Sequence, residues 1–225
     1  MNKTEYRFFD VLVALFVAVL LISNIASTKI LTIWKFTFDG GTLLFPLSYI
    51  FGDILTEVYG FRRSRRVIWL GFFSALLMSL VLFIVQILPP AIDWTNQKAY
   101  ETILGFVPRI VAASLLAYFA GEFTNSIILS RLKIFTKGRY LWTRTIGSTL
   151  IGEGIDTLVF CTVAFYGVLP ASVFKAVVIS NYIFKCAVEI IFTPLTYVIV
   201  GALKRKEKTD VYDYGIKYNP FQMNW

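Results

Sequence analysis

The stretch Ile151-Gly152-Glu153-Gly154-Ile155-Asp156-Thr157 places two carboxylates and two glycines in the middle of an apolar run. A charged side chain at bilayer depth costs at least a few kcal/mol, so such residues normally face a bundle interior or a water-filled cavity. Glu153 and Asp156 are three residues apart, which puts them on one face of a helix. We therefore expect the rest of the fold to enclose an internal polar site.

The composition is that of an integral membrane protein. Of the 225 residues, 57% are hydrophobic, and the mean hydropathy is +0.68. Several separate stretches approach the roughly 20 apolar residues needed to cross a bilayer. The sequence predicts an all-α membrane protein with six transmembrane helices in one bundle. The six predicted spans cover residues 8–28, 42–59, 67–88, 107–130, 141–166 and 173–203.

The basic residues follow the predicted topology. The formal net charge is +8, and most of the positive charge falls near the amino terminus, within Arg62–Arg66, within Arg131–Arg144 and within Lys204–Lys208. All four segments lie on one side of a six-span protein, which the positive-inside rule assigns to the cytoplasm. We expect both termini to be cytoplasmic, with residues 1–208 forming the transmembrane domain and residues 209–225 a cytoplasmic tail. This placement argues against a nucleic-acid partner.

The residue types present exclude several kinds of chemistry. The sequence has no histidine, which rules out a histidine triad, metal site or proton relay. Its two cysteines, Cys161 and Cys186, fall inside predicted spans and form neither a zinc pattern nor a disulfide framework. There is no phosphate-binding loop for ATP hydrolysis. We predict no cofactor and no resident metal.

Polar residues recur at four-residue spacing in spans one, two, four and six, which places them on helical stripes. Span two has an aromatic followed by two carboxylates, span four repeats that order, and span six carries the deepest lysine. Span one ends with two polar residues on one face. These residues are Tyr49, Asp53 and Glu57; Tyr118, Glu122, Asn125 and Ser126; Asn181, Lys185 and Glu189; and Asn24 and Thr28.

Three of these positions have two interpretations each. Glu57 either pairs with the arginines of Arg62–Arg66 near the membrane surface or takes part in ion coupling or gating. Asn24 either forms a hydrogen bond between helices or contacts a ligand. Lys185 offsets either Glu189, one turn away, or a carboxylate of span five.

A cavity containing this many carboxylates favours a ligand rich in hydrogen-bond donors. The remaining carboxylates must be hydrogen-bonded, protonated or matched by such a ligand. A guanine-like base offers an N–H and an amino group side by side, and a carboxylate can accept from both. Its ring faces are commonly held between aromatic side chains, and 17% of this chain is aromatic.

Four motifs together resemble the queuosine-precursor transporters of the VUT, or vitamin uptake transporter, family. They are Gly52-Asp53-Ile54-Leu55-Thr56-Glu57-Val58-Tyr59-Gly60, Gly121-Glu122-Phe123-Thr124-Asn125-Ser126, Gly152-Glu153-Gly154-Ile155-Asp156-Thr157, and Asn181-Tyr182-Ile183-Phe184-Lys185 with Glu189. The resemblance implies a six-span protein of a bacterial or archaeal inner membrane. It also implies import of a 7-deazaguanine precursor, the cyano or aminomethyl form, for tRNA modification.

The same resemblance extends to the substrate-binding subunits of ECF-type vitamin transporters, so two modes of transport remain open. A secondary carrier would couple uptake to a proton or sodium ion, and its six spans could form a three-plus-three inverted repeat. A binding subunit would need a separate ATPase. The chain also contacts membrane lipid and could form a homo-oligomer.

The resulting hypothesis divides the polar residues into two groups. The substrate-binding group contains Glu153, Asp156, Glu122, Asn125, Lys185, Glu189, Asn181, Tyr182 and Asn24, and the ion-coupling or gating group contains Asp53 and Glu57. An intramembrane aspartyl hydrolase is a weaker alternative, because Gly152–Asp156 has one residue too many for the GxGD pattern. A carboxylate pair that only stabilises packing with Lys185 is another alternative.

Overall fold

The computed structural model describes residues 6–26, 28–33, 36–105, 108–167 and 170–222. These residues form seven α-helices, a two-stranded hairpin and a short 3-10 segment, Gly40–Leu43. The helices are α1 (Phe9–Ala26), α2 (Phe45–Tyr59), α3 (Phe61–Ile87), α4 (Gln97–Leu104), α5 (Pro108–Phe135), α6 (Leu141–Phe165) and α7 (Ala171–Glu207). The strands are β1 (Ile30–Ile33) and β2 (Phe36–Asp39).

Five helices within the described part are long and apolar enough to cross a membrane. They are Phe9–Ala26, Phe61–Ile87, Ala112–Phe135, Leu141–Val163 and Val177–Glu207. Helix α3 leaves large apolar side chains exposed, among them Leu77 and Leu80. Because apolar side chains on a membrane protein can face lipid tails, these exposed faces fit a bilayer environment. Together the helices form a multi-pass membrane protein.

Helix α2 lies in the interior of the bundle. Every residue from Gly52 to Tyr59 is buried, and this segment contacts α1, α3, α5 and α7. Its 15 residues include Asp53 and Glu57, so it is shorter and more polar than the five apolar helices. The helix that carries these two carboxylates is therefore surrounded by protein.

A short hairpin follows α1, and two predicted helix boundaries are wrong. Strands β1 and β2 pair antiparallel, with Ile33 opposite Phe36; residues 34–35 lie outside the described part. Helix α3 begins at Phe61, so Arg62–Arg66 form its first turns and are not a loop. Gly60, at φ 83°, makes the turn between α2 and α3, and arginine has a high helix propensity that lets the helix start there. Helix α5 likewise continues through Arg131 and Lys133 to Phe135.

Helices α5 and α6 form the closest pair because glycines lie at their interface. A Cβ atom at Gly152 would lie 2.8 Å from the Asn125 Cβ, and one at Gly121 would lie 2.7 Å from the Asp156 Cβ. Small residues allow membrane helices to approach in this way. The approach brings the polar residues of α5 alongside the carboxylates of α6.

Both described chain ends lie at the same end of the bundle. The backbone N–H groups of Arg7 and Phe8 donate to the Glu207 carboxylate at the end of α7, at 3.1 and 2.7 Å. The Tyr59 hydroxyl, at the end of α2, donates to the same carboxylate at 3.0 Å. We call this the terminal end of the bundle.

The segment after α7 folds back over the terminal end. Asp213 Oδ2 accepts hydrogen bonds from the Phe61 N–H at 2.8 Å and from the Ser130 hydroxyl at 2.6 Å. The Trp69 indole donates to the Pro220 carbonyl at 2.9 Å. The tail, residues 209–222 in the described part, is therefore docked onto α3 and α5.

Asp210 adds a charged contact to this docking. Burial alone would raise the pKa of the Asp210 carboxyl, but hydrogen bonds from Lys133 and Lys204 hold that pKa below its usual value. Their ammonium nitrogens lie 2.5 and 2.9 Å from Asp210 Oδ1. A lowered pKa in the folded state stabilises that state at neutral pH, and the contribution is lost as the pH falls through the lowered value.

Asp213→Ala should release the tail. The change removes two buried hydrogen bonds to a carboxylate, each contributing about 1.5 to 3 kcal/mol, so the undocked population should rise at least about tenfold. Trypsin should then cleave faster after Lys217, as followed by mass spectrometry of the purified protein. Asp93→Ala, at an exposed acid between α3 and α4, is the matched control, and equal cleavage of both variants would contradict the docking.

Candidate substrate site

Five carboxylates, one amide and one ammonium group meet between four helices. Helix α2 contributes Asp53, α5 contributes Glu122 and Asn125, α6 contributes Glu153 and Asp156, and α7 contributes Lys185 and Glu189. Each of the five carboxylate side chains and the amide is at most 3% exposed. We call these seven residues the carboxylate cluster.

Lys185 is paired with α6. Its ammonium nitrogen lies 2.5 Å from Asp156 Oδ2 and 3.0 Å from Glu153 Oε2. It also lies 4.5 Å from the centroid of the Phe45 ring, within range of a cation–π contact. Of the two partners predicted for Lys185, the structure therefore contains the carboxylates of span five. Both carboxylate oxygens of the other candidate, Glu189, lack a hydrogen-bond partner among the described residues.

Most acceptors of the carboxylate cluster are unmatched. Asp53 Oδ1 accepts a 2.6 Å hydrogen bond from the Asn125 side chain, but Asp53 Oδ2 and the Asn125 carbonyl oxygen have no partner in the described part of the chain. Both oxygens of Glu122 are also without a partner there. Burying such groups without compensation costs several kcal/mol, so native proteins rarely leave them unmatched.

A glycine on α2 lets Glu122 approach that helix. A Cβ atom at Gly52 would overlap Glu122 Oε1. The Tyr49 hydroxyl, one turn before Asp53, is buried and unpartnered among the described residues. The Gly52 position therefore admits a carboxylate that no side chain of the described part neutralises.

A cavity of about 90 Å³ leads to the carboxylate cluster. Four predicted site residues line it: Asn24, Asn181, Asp156 and Lys185. Aromatic side chains also line it, namely Phe45, Tyr118 and Phe160. The remaining carboxylates of the cluster do not line this cavity, and the pair formed by Asp156 and Lys185 is the part of the cluster at its wall.

The cavity lies toward the end of the bundle opposite the terminal end. Its lining includes Asn24 from the last turn of α1, Gly41 just after the hairpin, and Asn181 from the first half of α7. Asn24 donates its amide hydrogen to the Leu20 carbonyl of its own helix at 2.9 Å. Tyr182 does not line the cavity, and its hydroxyl donates to the Leu150 carbonyl on α6 at 3.0 Å.

Glu57 belongs to a separate charge cluster at the terminal end. Arg144 binds it in a bidentate manner, with Nε and Nη2 each 2.7 Å from a carboxylate oxygen. Lys204 Nζ lies 2.5 Å from Glu57 Oε1, and Lys133 Nζ lies 3.7 Å from the same atom. The predicted alternative of a salt bridge to Arg62–Arg66 is not what the structure contains.

The sequence interpretation missed the three cations around Glu57. Lys133, Arg144 and Lys204 were counted only as topology signals, although each lies one or a few residues inside a helix end. A buried acid near the end of a span is strongly destabilising without a cation at the same depth. That requirement is the signal that could have identified them.

The described residues contain no group of three or more histidine, cysteine, aspartate or glutamate side chains that could hold a metal ion. The arrangement instead combines a cavity, an aromatic lining and unmatched acceptors. Such a site suits the binding of a neutral or cationic molecule with several hydrogen-bond donors.

Comparison with known proteins gives consistent matches. Residues 39–199 match a family model described as "Putative vitamin uptake transporter". A Bacillus subtilis protein named "Probable queuosine precursor transporter" is 33% identical over 188 residues, which are 83% of this chain and 82% of that protein. The Escherichia coli "Queuosine precursor transporter" is 28% identical over 170 residues, 74% of each chain. A Haemophilus influenzae relative, named "Probable queuosine precursor transporter", is also 28% identical, over 74% of this chain and 70% of its own length.

No solved structure matches the chain. The family model covers well over half of the 225 residues and includes the carboxylate cluster. The predicted family is thus confirmed: this chain belongs to the vitamin uptake transporter family.

Proposed function

We propose that the protein imports a 7-deazaguanine precursor of queuosine, 7-cyano-7-deazaguanine or its aminomethyl form, across the cytoplasmic membrane of a bacterium or archaeon. The observation that carries this proposal is the set of unmatched buried acceptors beyond the end of an aromatic-lined cavity. The names of the relatives support the substrate class. The protein acts as a transporter without catalysing a reaction of its substrate.

The donor edge of the base complements the acceptors of the carboxylate cluster. A guanine-type edge carries an N–H and an amino group, which together can donate to one carboxylate. Asp156 is the carboxylate that lines the cavity, and Glu153 lies beside it on the same lysine. The base therefore meets these two acids first, with Phe45, Tyr118 or Phe160 against its ring faces.

Binding requires the cavity to widen. Its volume of about 90 Å³ is below the roughly 300 Å³ at which sites that enclose organic ligands usually begin. We expect the side chain of Lys185 to change conformation when the cavity widens, because it is 14% exposed whereas Glu153 and Asp156 are almost fully buried. When Lys185 moves away from Asp156, the base gains access to the acids, and Glu122, Asn125 and Glu189 then lie within the same pocket.

The two ends of the bundle suggest a carrier that alternates access. The cavity lies away from the terminal end, where Glu57, its three cations and the docked tail fill the space. If the terminal end is cytoplasmic, as its basic residues indicate, this conformation is open toward the outside. Glu57 then closes the cytoplasmic side, and Asp53, buried with one unmatched oxygen, takes the coupling proton.

The same arrangement supports the expectation of six spans. The described amino-terminal end of α1 and the carboxyl-terminal end of α7 meet at Glu207, so the chain crosses the membrane an even number of times. With the five apolar helices, an even number is reached when α2 crosses as well, which gives six spans. A three-plus-three inverted repeat of α1–α3 and α5–α7 is consistent with that count.

Glu153→Gln should weaken binding of the base. The glutamine keeps the size of the side chain but loses the charged acceptor, so affinity should fall by about 1.5 to 3 kcal/mol, or about 10- to 160-fold. Isothermal calorimetry of the purified protein with 7-cyano-7-deazaguanine measures this. Glu101→Gln, at an exposed acid of α4, is the matched control. A folded Glu153→Gln protein with unchanged affinity would place the site elsewhere.

Purified protein in liposomes should accumulate the labelled base by itself when an inward proton gradient is imposed. A protonophore should abolish accumulation, and Asp53→Asn should keep substrate binding but lose the response to the gradient, because the amide cannot take up the coupling proton. Uptake that depends on a sodium gradient instead would identify sodium as the coupling ion. Uptake that appears only after an ATPase module is added would contradict the carrier and favour an ECF-type binding subunit.

The same liposomes test the closing role of Glu57. Glu57→Gln leaves Arg144 and Lys204 without their shared carboxylate, so the cytoplasmic side should close less completely and the preloaded base should exchange faster across the membrane. Glu101→Gln again serves as control. Equal exchange by both variants would assign Glu57 to stability alone.

A further inference from the structure

A second cavity lies at the terminal end, between the start of α3 and the tail. Its volume is about 590 Å³, and it is lined by Phe61, Arg62 and Arg65 of α3 and by Tyr214, Gly215, Ile216, Lys217 and Gln222 of the tail. None of these residues belongs to the carboxylate cluster or to the charge cluster of Glu57. We call it the tail cavity.

All three charged residues that line the tail cavity are cationic. Arg62 and Lys217 are exposed, whereas Arg65 is only 4% exposed. The nearby acid, Asp213, directs Oδ2 to the Phe61 N–H and the Ser130 hydroxyl. Two helical residues and one tail residue therefore direct positive charge toward one space from opposite sides.

Arg65 is incompletely satisfied in its buried position. Its Nη1 donates to the Asn219 carbonyl at 2.9 Å, but its Nε has no hydrogen-bond partner among the described residues. Its guanidinium carbon lies 5.9 Å from the centroid of the Phe61 ring, at the wall of the cavity. A buried cation with an unused N–H donor is unfavourable unless an anion or another acceptor meets it.

The positive-inside rule explains why basic residues occur here, but not why one is buried. An exposed arginine satisfies the rule as well as a buried one, because the rule counts charges near the membrane. Arg65 is instead covered by a tail that brings a further lysine to the same cavity. This arrangement brings three cations to one cavity, and arginine is well suited to bind phosphate.

We propose that the tail cavity binds a phosphate-bearing anion through Arg62, Arg65 and Lys217. Two sources share this chemistry: the headgroup of an anionic phospholipid in the cytoplasmic leaflet, and a soluble phosphate. Trp69 lies one turn beyond Arg65, donates to the Pro220 carbonyl and stacks on Phe73 with centroids 5.3 Å apart. An aromatic side chain at that level is typical of a membrane interface, which places the tail cavity where lipid headgroups lie.

A bound phosphate would connect the tail to α3. It would bind Lys217 on one side and Arg62 and Arg65 on the other, and it would remove the repulsion among the three cations. The tail would therefore dock more firmly in a membrane rich in anionic lipid. Since tail residue Asp210 also contacts Lys133 and Lys204, the anion would support the closed cytoplasmic side.

The test uses the full chain, purified in a neutral detergent and stripped of lipid. Thermal unfolding is followed while dioctanoyl phosphatidylglycerol, dioctanoyl phosphatidylcholine or inorganic phosphate is added. Phosphatidylglycerol should raise the unfolding temperature in a saturable manner, and phosphatidylcholine, whose headgroup has no net charge, should not. Stabilisation by inorganic phosphate at a comparable concentration supports the same site with a soluble ligand as its source.

Two double variants test whether the stabilisation by phosphatidylglycerol arises from binding in the tail cavity. Arg62→Gln with Lys217→Gln removes two exposed cations and leaves the Arg65 hydrogen bond to Asn219 intact, so the protein should fold. At about a fivefold loss for each cation near an anionic surface, the apparent affinity for phosphatidylglycerol should fall about 30-fold. A matched double variant, Arg205→Gln with Lys208→Gln, removes two exposed cations of the same end outside the cavity and should bind like the unmodified protein.

Three results would overturn the proposal: no stabilisation by any phosphate compound, equal stabilisation by phosphatidylcholine, or equal losses in the two double variants. None of them bears on transport of the base, because the carboxylate cluster contains none of the substituted residues. If the protein imports the base but is not stabilised by phosphatidylglycerol, only the proposal of an anion site in the tail cavity is contradicted.

Discussion

The central physical constraint on this protein is that five buried carboxylates lie together with a single, partly buried lysine among the described residues. Lys185 contacts Asp156 and Glu153, which leaves Asp53, Glu122 and Glu189 with no cation of the described residues within ion-pair distance. A protein that needed only stability would replace such groups by apolar side chains, often at no loss of stability. We therefore interpret the unmatched acceptors as groups whose missing hydrogen-bond donors are supplied by a bound ligand or by protonation.

The helix arrangement follows from this constraint. The glycines of α5 and α6 bring the polar residues of both helices to one level, and Gly52 admits Glu122 to the same level on α2. Helix α2 is surrounded by protein, because a helix with two carboxylates cannot face lipid at low cost. The two carboxylates of α2 lie in different clusters. Asp53 lies in the carboxylate cluster, and Glu57, one turn later, is held by Arg144 and Lys204 at the terminal end.

Much of the fold could be predicted from the sequence because bilayer depth limits what each residue type can do. Apolar runs located the long helices, and the four-residue stripes identified several members of the carboxylate cluster, namely Asp53, Glu122, Lys185 and Glu189. Both signals are local. The partners of Glu57 could not be predicted in this way, because Arg144 and Lys204 lie 87 and 147 residues away along the chain. A basic residue near a helix end serves topology and ion pairing equally well, so the sequence does not distinguish the two roles.

The contacts of the tail could not be predicted from local sequence patterns either. Residues 209–222 contain no periodic pattern. They are held by separate contacts, among them those to the Phe61 N–H, the Ser130 hydroxyl and the Trp69 indole. Such contacts depend on where the helix ends lie in space. The start of α3 was misplaced for a related reason: Gly60 allows the chain to turn within one residue, so no loop is needed before the arginines.

The central claim is that buried carboxylates accept the donor edge of the base. Calorimetric titration of the purified protein with 7-deazaguanine and with 7-deazahypoxanthine, which lacks only the 2-amino group, tests it most directly. A site built to accept from that amino group leaves its carboxylate unmatched with the second compound, so the account predicts binding at least about 100-fold weaker. Equal affinity for the two compounds would contradict it.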